Sequence, residues 1–314
     1  MQLDHLLRFN AAIASLRDCI QKPLSKGNYV EKVTTAVFPS AGSAHIWYAQ
    51  DHGLFEQAGI DVRVIEVRSS EEQMLLWDTA RADFMHTAPD HLLRDRKRDP
   101  VALRLEGVGE LAVYVRPDVP LRGWATVRWG VDGPDSAFAF VLQAILAERS
   151  IPVSVRNVIP VGGTKQRLEA LISGSIDGTT LHPPFDAAAE AHGCIRLAGH
   201  LTVAPDLATV VLVASRPDLA SSRLSGYLHA LDQAREDLQA GGPAALAEVL
   251  GRRGWSQESS EAVAADVMGP QGLMADQSRL KHGMEEAARL RARFTSGWAP
   301  PQDIGQLIAA HSQA

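Results

Sequence analysis

Cysteine is nearly absent: the 314 residues hold two, Cys19 and Cys194. The two lie in unlike segments, so neither a disulfide framework nor a cysteine zinc knuckle is supported, and both read as small buried hydrophobes. No run of eighteen apolar residues occurs, which leaves no candidate for a membrane-spanning helix. Basic residues are not in excess. Against 37 Asp and Glu stand 31 Lys and Arg, and a net charge of −6 with no basic stripe interleaved with aromatics argues against a nucleic-acid surface. Also missing are Gly-x-Ser-x-Gly, His-Glu-x-x-His, Cys-x-x-Cys and the Gly-Lys-Ser/Thr ending of a phosphate-binding loop, so Gly162-Gly163-Thr164 reads as an ordinary loop before a helix. No motif therefore assigns a cofactor or a metal. There is no repeat of fixed period and no low-complexity tract. A secretory leader is not visible either: residues 3–20 mix Asp4, His5, Arg8, Arg17 and Asp18 with apolar positions, the pattern of an amphipathic helix. The expected location is the cytoplasm, or the periplasm if a leader has been removed.

What is present is an ordinary globular composition, 46% hydrophobic and 22% charged, in a chain long enough for two lobes. Its organising stretch is Val33 to Val67. Val33 to Phe38 is a β-branched run; Pro39-Ser40-Ala41-Gly42-Ser43 breaks it with small residues. From Ala44, Ile46, Trp47, Ala49, Leu54 and Phe55 recur at helical spacing until Gly59, and Ile60 to Val67 alternates as a second strand. Such a unit places a loop and a helix N-terminus at the carboxyl edge of a parallel sheet, where open α/β sheets bind small polar ligands. The theme returns downstream. Helices are expected after Ser69, with Ser69 as N-cap, and after Thr87, with Thr87 as cap; strands are expected over Asp83–Met85, Val101–Val108, Leu111–Val115, Val127–Val131, Val153–Val161, Ile176–Leu181 and Asp206–Ser215. From Pro217 the chain reads as at least four helical segments broken at Gly241-Gly242-Pro243, Gly251, Gly269-Pro270 and Pro300-Pro301.

Several of these segments carry a family likeness. Gly53-Leu54-Phe55 followed by Ala58-Gly59-Ile60-Asp61-Val62, then Ala82-Asp83-Phe84, Gly133-Pro134-Asp135-Ser136, Leu171 to Gly178 and Pro184-Phe185-Asp186-Ala187-Ala188-Ala189 occur in consistent order over about residues 31–216. In this the chain resembles the periplasmic-type (type II) solute-binding proteins of the nitrate, sulfonate, taurine and thiamine-precursor group, the NMT1/THI5-like and SsuA-like proteins. The resemblance implies an α/β, two-lobed fold with a hinged cleft and a helical carboxyl-terminal portion. Residues 1–30 are then an extension, 31–116 with 206–314 one lobe, and 117–205 the other. It also implies binding of a small polar or anionic organic molecule between the lobes, with a permease partner if the protein is exported. The segment His182-Pro183-Pro184 departs from the aromatic-Glu-Pro pattern of the group, and the cysteine-rich motif of its thiamine-pyrimidine synthases has no counterpart.

Four loops should meet in the cleft: Ser40 to His45, His86 to Asp90, Gly133 to Ser136 and Leu181 to Phe185. Candidate ligand-binding residues are Ser40, Ala41, Gly42, Ser43, His45, His86, Thr87, Asp90, Asp135, Ser136, His182 and Pro184, with helix N-termini adding positive potential. The plainer reading of Ser40, Ser43, Thr87 and Ser136 is that they cap helices. An alternative function is a cytoplasmic enzyme on the same fold, with decarboxylase or lyase-type chemistry on a small organic acid or heterocycle. In that reading His45, His86 and His182 are the catalytic candidates, near enough to Asp90 and Asp135 to form acid/base pairs or to bind a metal. Sulfinate-cleaving members of the fold use a cysteine in the first loop, where this chain has Ser40 and Ser43.

Overall fold

The computed structural model describes residues 30–94, 97–107, 109–119 and 124–309. The expected amphipathic helix over residues 3–20, and Cys19 with it, lies outside the described residues. Residues 32–314 form one compact unit, which carries the two sheets.

The strands are β1 (Glu31–Val37), β2 (Ile60–Glu66), β3 (Phe84–Thr87), β4 (Pro100–Gly107), β5 (Ala112–Val115), β6 (Trp129–Val131), β7 (Val158–Pro160), β8 (Gly178–Leu181), β9 (Ile195–Gly199) and β10 (Val210–Ser215). They form two five-stranded sheets of order β2-β1-β3-β10-β4 and β7-β6-β8-β5-β9. Strand β1 runs parallel to β3, and β6 runs parallel to β7 and β8. Each sheet also takes in one antiparallel strand, β10 between β3 and β4, and β5 between β8 and β9. The chain therefore leaves the first sheet after β4 and returns to it as β10. One boundary differs from the expectation above: Ala112–Val115, placed with the first lobe, pairs with β8 and β9 of the second sheet. Its four residues are all buried and apolar, so the sequence offers no sign of which sheet they complete.

The helices are α1 (Ala44–Asp51), α2 (Leu54–Gln57), α3 (Ser70–Asp78), α4 (Asp90–Arg94), α5 (Ala137–Glu148), α6 (Thr164–Ile172), α7 (Phe185–Ala191), α8 (Ser222–Arg252), α9 (Gln257–Met268) and α10 (Leu280–Phe294). Ser69 caps α3 as expected: its hydroxyl accepts from Glu72 N at 3.1 Å, while the Glu72 carboxylate accepts from Arg68 N at 2.8 Å. Helix α8 bends where Gly242 has φ 62° and Pro243 follows, because proline cannot donate the next helical bond. The strand expected over Val153–Val161 shrinks to Val158–Pro160, since residues 155–157 turn as a short 3-10 helix. Thr87 does not cap α4; it is the last residue of β3.

Helix α1 is enclosed on both sides, which explains its mixed pattern. Ile46 and Ala49 pack with Val33, Phe84 and Leu212 of the first sheet, while Ala44 and Trp47 pack with Leu246, Leu250 and Val263 of α8 and α9. His45, between those faces, is 0% exposed. Tyr227 of α8 lies under the sheet against Phe55 and Phe84, with ring centroids 5.5 and 4.8 Å away.

Candidate ligand cleft

A cavity of about 200 Å³ lies where the carboxyl ends of β1, β3 and β4 face those of β6 and β8. Four stretches supply most of its wall, residues 38–43, 86–88, 136–138 and 163–167, joined by Asp132, His182, Pro183 and Phe185 and, from the helical portion, by Asp266, Val267, Gln271 and Gly272.

On the side of the first sheet, Ser43 is turned inward and donates to Phe38 O at 2.9 Å, which ties the loop to β1. Ser40 precedes the short 3-10 turn without making a side-chain cap bond, so its hydroxyl is available to the cavity it lines. Gln73 of α3 donates to the carbonyls of Ala36 and His86, at 3.1 and 3.0 Å, and thereby presents its Oε1 to the Thr87 hydroxyl at 2.6 Å. Thr87 has spent its proton, so the 2.5 Å contact with His91 Nδ1 has the imidazole donating. Burial pushes the His91 pKa down, and the neutral ring keeps Nε2 as its acceptor. His91 was not among the sequence candidates; it is the second residue of a helix that the sequence shows only weakly.

Beneath this wall lies a buried polar group. His86 Nε2 is 2.9 Å from Tyr227 Oη, and Tyr227 donates to Thr35 Oγ1 at 3.0 Å, so Nε2 is the donor and Nδ1 is unprotonated. Burial lowers the His86 pKa to about 3. Glu106, near the end of β4, pairs with Arg235 of α8, and its Oε2 lies 2.9 Å from His45 Nε2 and 3.8 Å from His86 Nδ1. Burial alone would raise the Glu106 carboxyl pKa; the Arg235 guanidinium holds it well below the usual range instead. His86 and Glu106 line the cavity, whereas His45 stands behind them. The lone carboxylate in the run Val101-Ala102-Leu103-Arg104-Leu105-Glu106 was the available signal for Glu106, read in sequence only as part of a strand.

The opposite wall is built on Arg167, which is 1% exposed. Its guanidinium donates to Gly162 O at 2.8 Å, to Thr164 Oγ1 at 3.0 Å and to Thr180 O at 3.2 Å, and among the described residues no carboxylate pairs with it. Asp132 exerts some attraction on it, but that carboxylate is taken up by Ser70 and Ser136, at 2.8 and 2.5 Å. Thr164 Oγ1 donates to His182 Nε2 at 3.0 Å, and His182 Nδ1 donates to Pro183 O at 2.9 Å. Both ring nitrogens of His182 are thus engaged, and burial lowers its pKa to about 4. Ser136 caps α5, accepting from Ala139 N at 3.1 Å.

The sequence candidates therefore separate. Ser40, Ala41, Gly42, Ser43, His86, Thr87, Ser136 and His182 line the cavity; His45, Asp90, Asp135 and Pro184 do not. Asp90 and Asp135 do not orient an imidazole. Arg291 of α10 grips Asp90 with two bonds of 2.7 and 2.9 Å and reaches Asp135 at 3.1 Å, joining α4 to the loop before α5. Pro184 sits at the start of α7. Of the three histidines, His45 and His86 come together, with ring centroids 5.8 Å apart, and His182 stands on the other wall.

Residues 40–108 match the family model described as NMT1/THI5 like. A protein of Bordetella bronchiseptica RB50 superposes with a TM-score of 0.74 at 18% identity, over 90% of this chain and 95% of its own. The ligand-binding component of an ABC-type import system from Staphylococcus aureus, with zinc bound, gives 0.72 at 14% identity over 90% and 98%. The periplasmic nitrate-binding protein NrtA from Synechocystis PCC 6803 gives 0.72 at 13% identity over 89% and 84%. Comparison with curated proteins gives no match. The chain thus has the periplasmic-binding-protein fold with a helical carboxyl-terminal portion, and the segment carrying the first cavity loops is NMT1/THI5-like.

Proposed function

We propose that this protein binds a small anionic organic molecule between its two sheets and releases it unaltered. The observation that carries this reading is Arg167, a buried guanidinium on the cavity wall with only carbonyl and hydroxyl partners. A buried charge lacking a counterion is costly, and an anion in the cavity supplies one. Ser40 and the neutral His91 add polar partners on the facing wall. A cavity of about 200 Å³ is smaller than the roughly 300–1,000 Å³ of sites for drug-sized molecules, which points to a compact carboxylate or sulfonate. Nitrate binding by NrtA, which shares the fold, is in keeping with an anion.

A thermal-shift panel of small carboxylates, sulfonates and polar heterocyclic acids tests the reading. A true ligand at a hundred times its Kd stabilises the fold by about 2.7 kcal/mol. A folded protein that none of these classes stabilises would remove the basis of the proposal. Mass spectrometry of the recovered ligand tests release without alteration. The lyase reading needs a base of suitable pKa within reach of substrate. His182 has both nitrogens engaged and His45 does not line the cavity, so a changed ligand mass would have to be traced to other residues. The two lobes are taken to hinge at the crossovers between β4 and β5 and between β9 and β10. A permease is the expected partner of an exported form, and cell fractionation of the native host decides between cytoplasm and periplasm.

A further inference from the structure

The buried group behind the cavity has more polar atoms than partners. Both nitrogens of His45 and Oε1 of Glu106 are buried without a hydrogen bond; the 2.9 Å approach of His45 Nε2 to Glu106 Oε2 is close but not aligned as one. His86 brings a third donor to the same point. Its Nε2 proton is committed to Tyr227, so the lone pair on Nδ1 lies 3.8 Å from the Glu106 carboxylate, an arrangement of two electron-rich atoms that a cation between them would relieve. One ligand atom from each of His45, His86 and Glu106 can be chosen so that all three lie within 4.8 Å of one another.

We propose that His45, His86 and Glu106 form a binding site for a divalent transition-metal ion at the floor of the cleft. Two imidazoles and one carboxylate are the three-ligand set of metal sites that keep a coordination position open, and they favour zinc-like ions over magnesium or calcium. His86 and Glu106 both line the cavity, so the open position faces it. Tyr227 and Thr35 hold His86 in the tautomer that leaves Nδ1 free, and Arg235 orients Glu106 through Oε2, leaving Oε1 without a partner. These are the outer contacts that fix ligands at metal sites. Arg235 already offsets the charge of Glu106, so a bound ion would leave the floor positively charged and suited to an anion above it. Only this last step rests on the proposed ligand class; the metal site itself does not.

The test uses the full chain, stripped with a chelator and titrated with zinc chloride or cobalt chloride, without organic ligand. The expected result is one tight equivalent of zinc and a visible cobalt spectrum of imidazole and carboxylate ligation. His86→Ala should weaken binding by at least about 100-fold, and Tyr227→Phe, which leaves all three ligands in place, by about 10- to 100-fold. The cobalt-loaded wild type should show paramagnetic shifts on Thr35 and Tyr227, a readout that does not depend on whether a variant folds. The proposal is overturned if the stripped wild type takes up no zinc, if uptake is equal in folded His86→Ala, or if cobalt leaves the Thr35 and Tyr227 resonances unmoved. Metal uptake with no anion binding would retain this site and reject the ligand class; the converse would reject the site alone.

Discussion

Arg167 and His200 show how a buried titratable group can serve two different ends. Arg167 is held by carbonyls on a cavity wall, and its replacement by Met should remove the ligand's counter-charge. The expected loss of affinity is about 2 kcal/mol or more, roughly 30-fold, for any anion that stabilises the wild type. Calorimetry of both proteins with the same anion would check this, and equal affinities would take Arg167 out of the site. His200 is 0% exposed and accepts from Leu111 N at 2.9 Å through Nδ1, and burial pushes its pKa from 6.5 to about 4. Its folded pKa is depressed, so between these values the unfolded chain binds more protons than the folded one. The stabilisation is therefore complete above about pH 6.5 and is lost as pH falls toward 4. Between pH 7 and pH 5 the wild type should lose about 2 kcal/mol more than a His200→Gln variant, read from urea midpoints. Parallel losses in the two proteins would show that His200 does not titrate in this window.

Among the elements, α10 comes close to a backbone segment distant in sequence at Gly283. A Cβ at Gly283 would stand 2.8 Å from Ala208 N and 3.1 Å from Asp206 O, atoms of the segment leading into β10. Alanine gains about 1 kcal/mol of helix propensity over glycine, but it would have to push α10 off a backbone that cannot rotate away. Overpacking of this kind costs about 1–3 kcal/mol, so Gly283→Ala should be net destabilising in chemical denaturation, and a stabilised variant would contradict the packing. This contact joins residues 75 apart in sequence and nothing local announces it. What local chemistry does announce was readable: the strand, small-residue loop and helix from Val33 onward, the Ser69–Glu72 capping pair, and the break at Gly242-Pro243. The loops that reach the cleft were legible for the same reason, since each follows a strand and precedes a helix. Which side chains in those loops face ligand was not legible. Asp90 and Asp135 looked like site residues until Arg291, far along the chain, engaged both; Arg167 and Glu106 looked like ordinary helix and strand positions until the fold buried them on a cavity. Partners more than a hundred residues away decided the roles of Asp90, Asp135 and Glu106, and periodicity carries no information about them.

At the scale of the whole molecule, polar contacts join the two sheets beside the apolar cluster that both share. Arg291 ties α4 to the loop before α5, Ser70 donates to Asp132 at 2.8 Å, and Gly163 N donates to Arg68 O at 2.9 Å. Asp90 is 0% exposed, so Arg291→Met would strand a buried carboxylate and should cost about 3–5 kcal/mol, with part recovered in the double variant that adds Asp90→Asn. A loss below about 1 kcal/mol in thermal or chemical melts would show that the contact is not a structural tie. Small-angle scattering with and without an anion would show whether these contacts open and close as a hinge. The central claim, that an anion occupies the cleft against Arg167, is tested most directly by a crystal structure of the protein with the anion that stabilises it most. The account predicts that anion in the cavity between residues 38–43 and 163–167, with an acidic group on the Arg167 guanidinium. An anion bound elsewhere, or one in the cavity whose charge points away from Arg167, would contradict it.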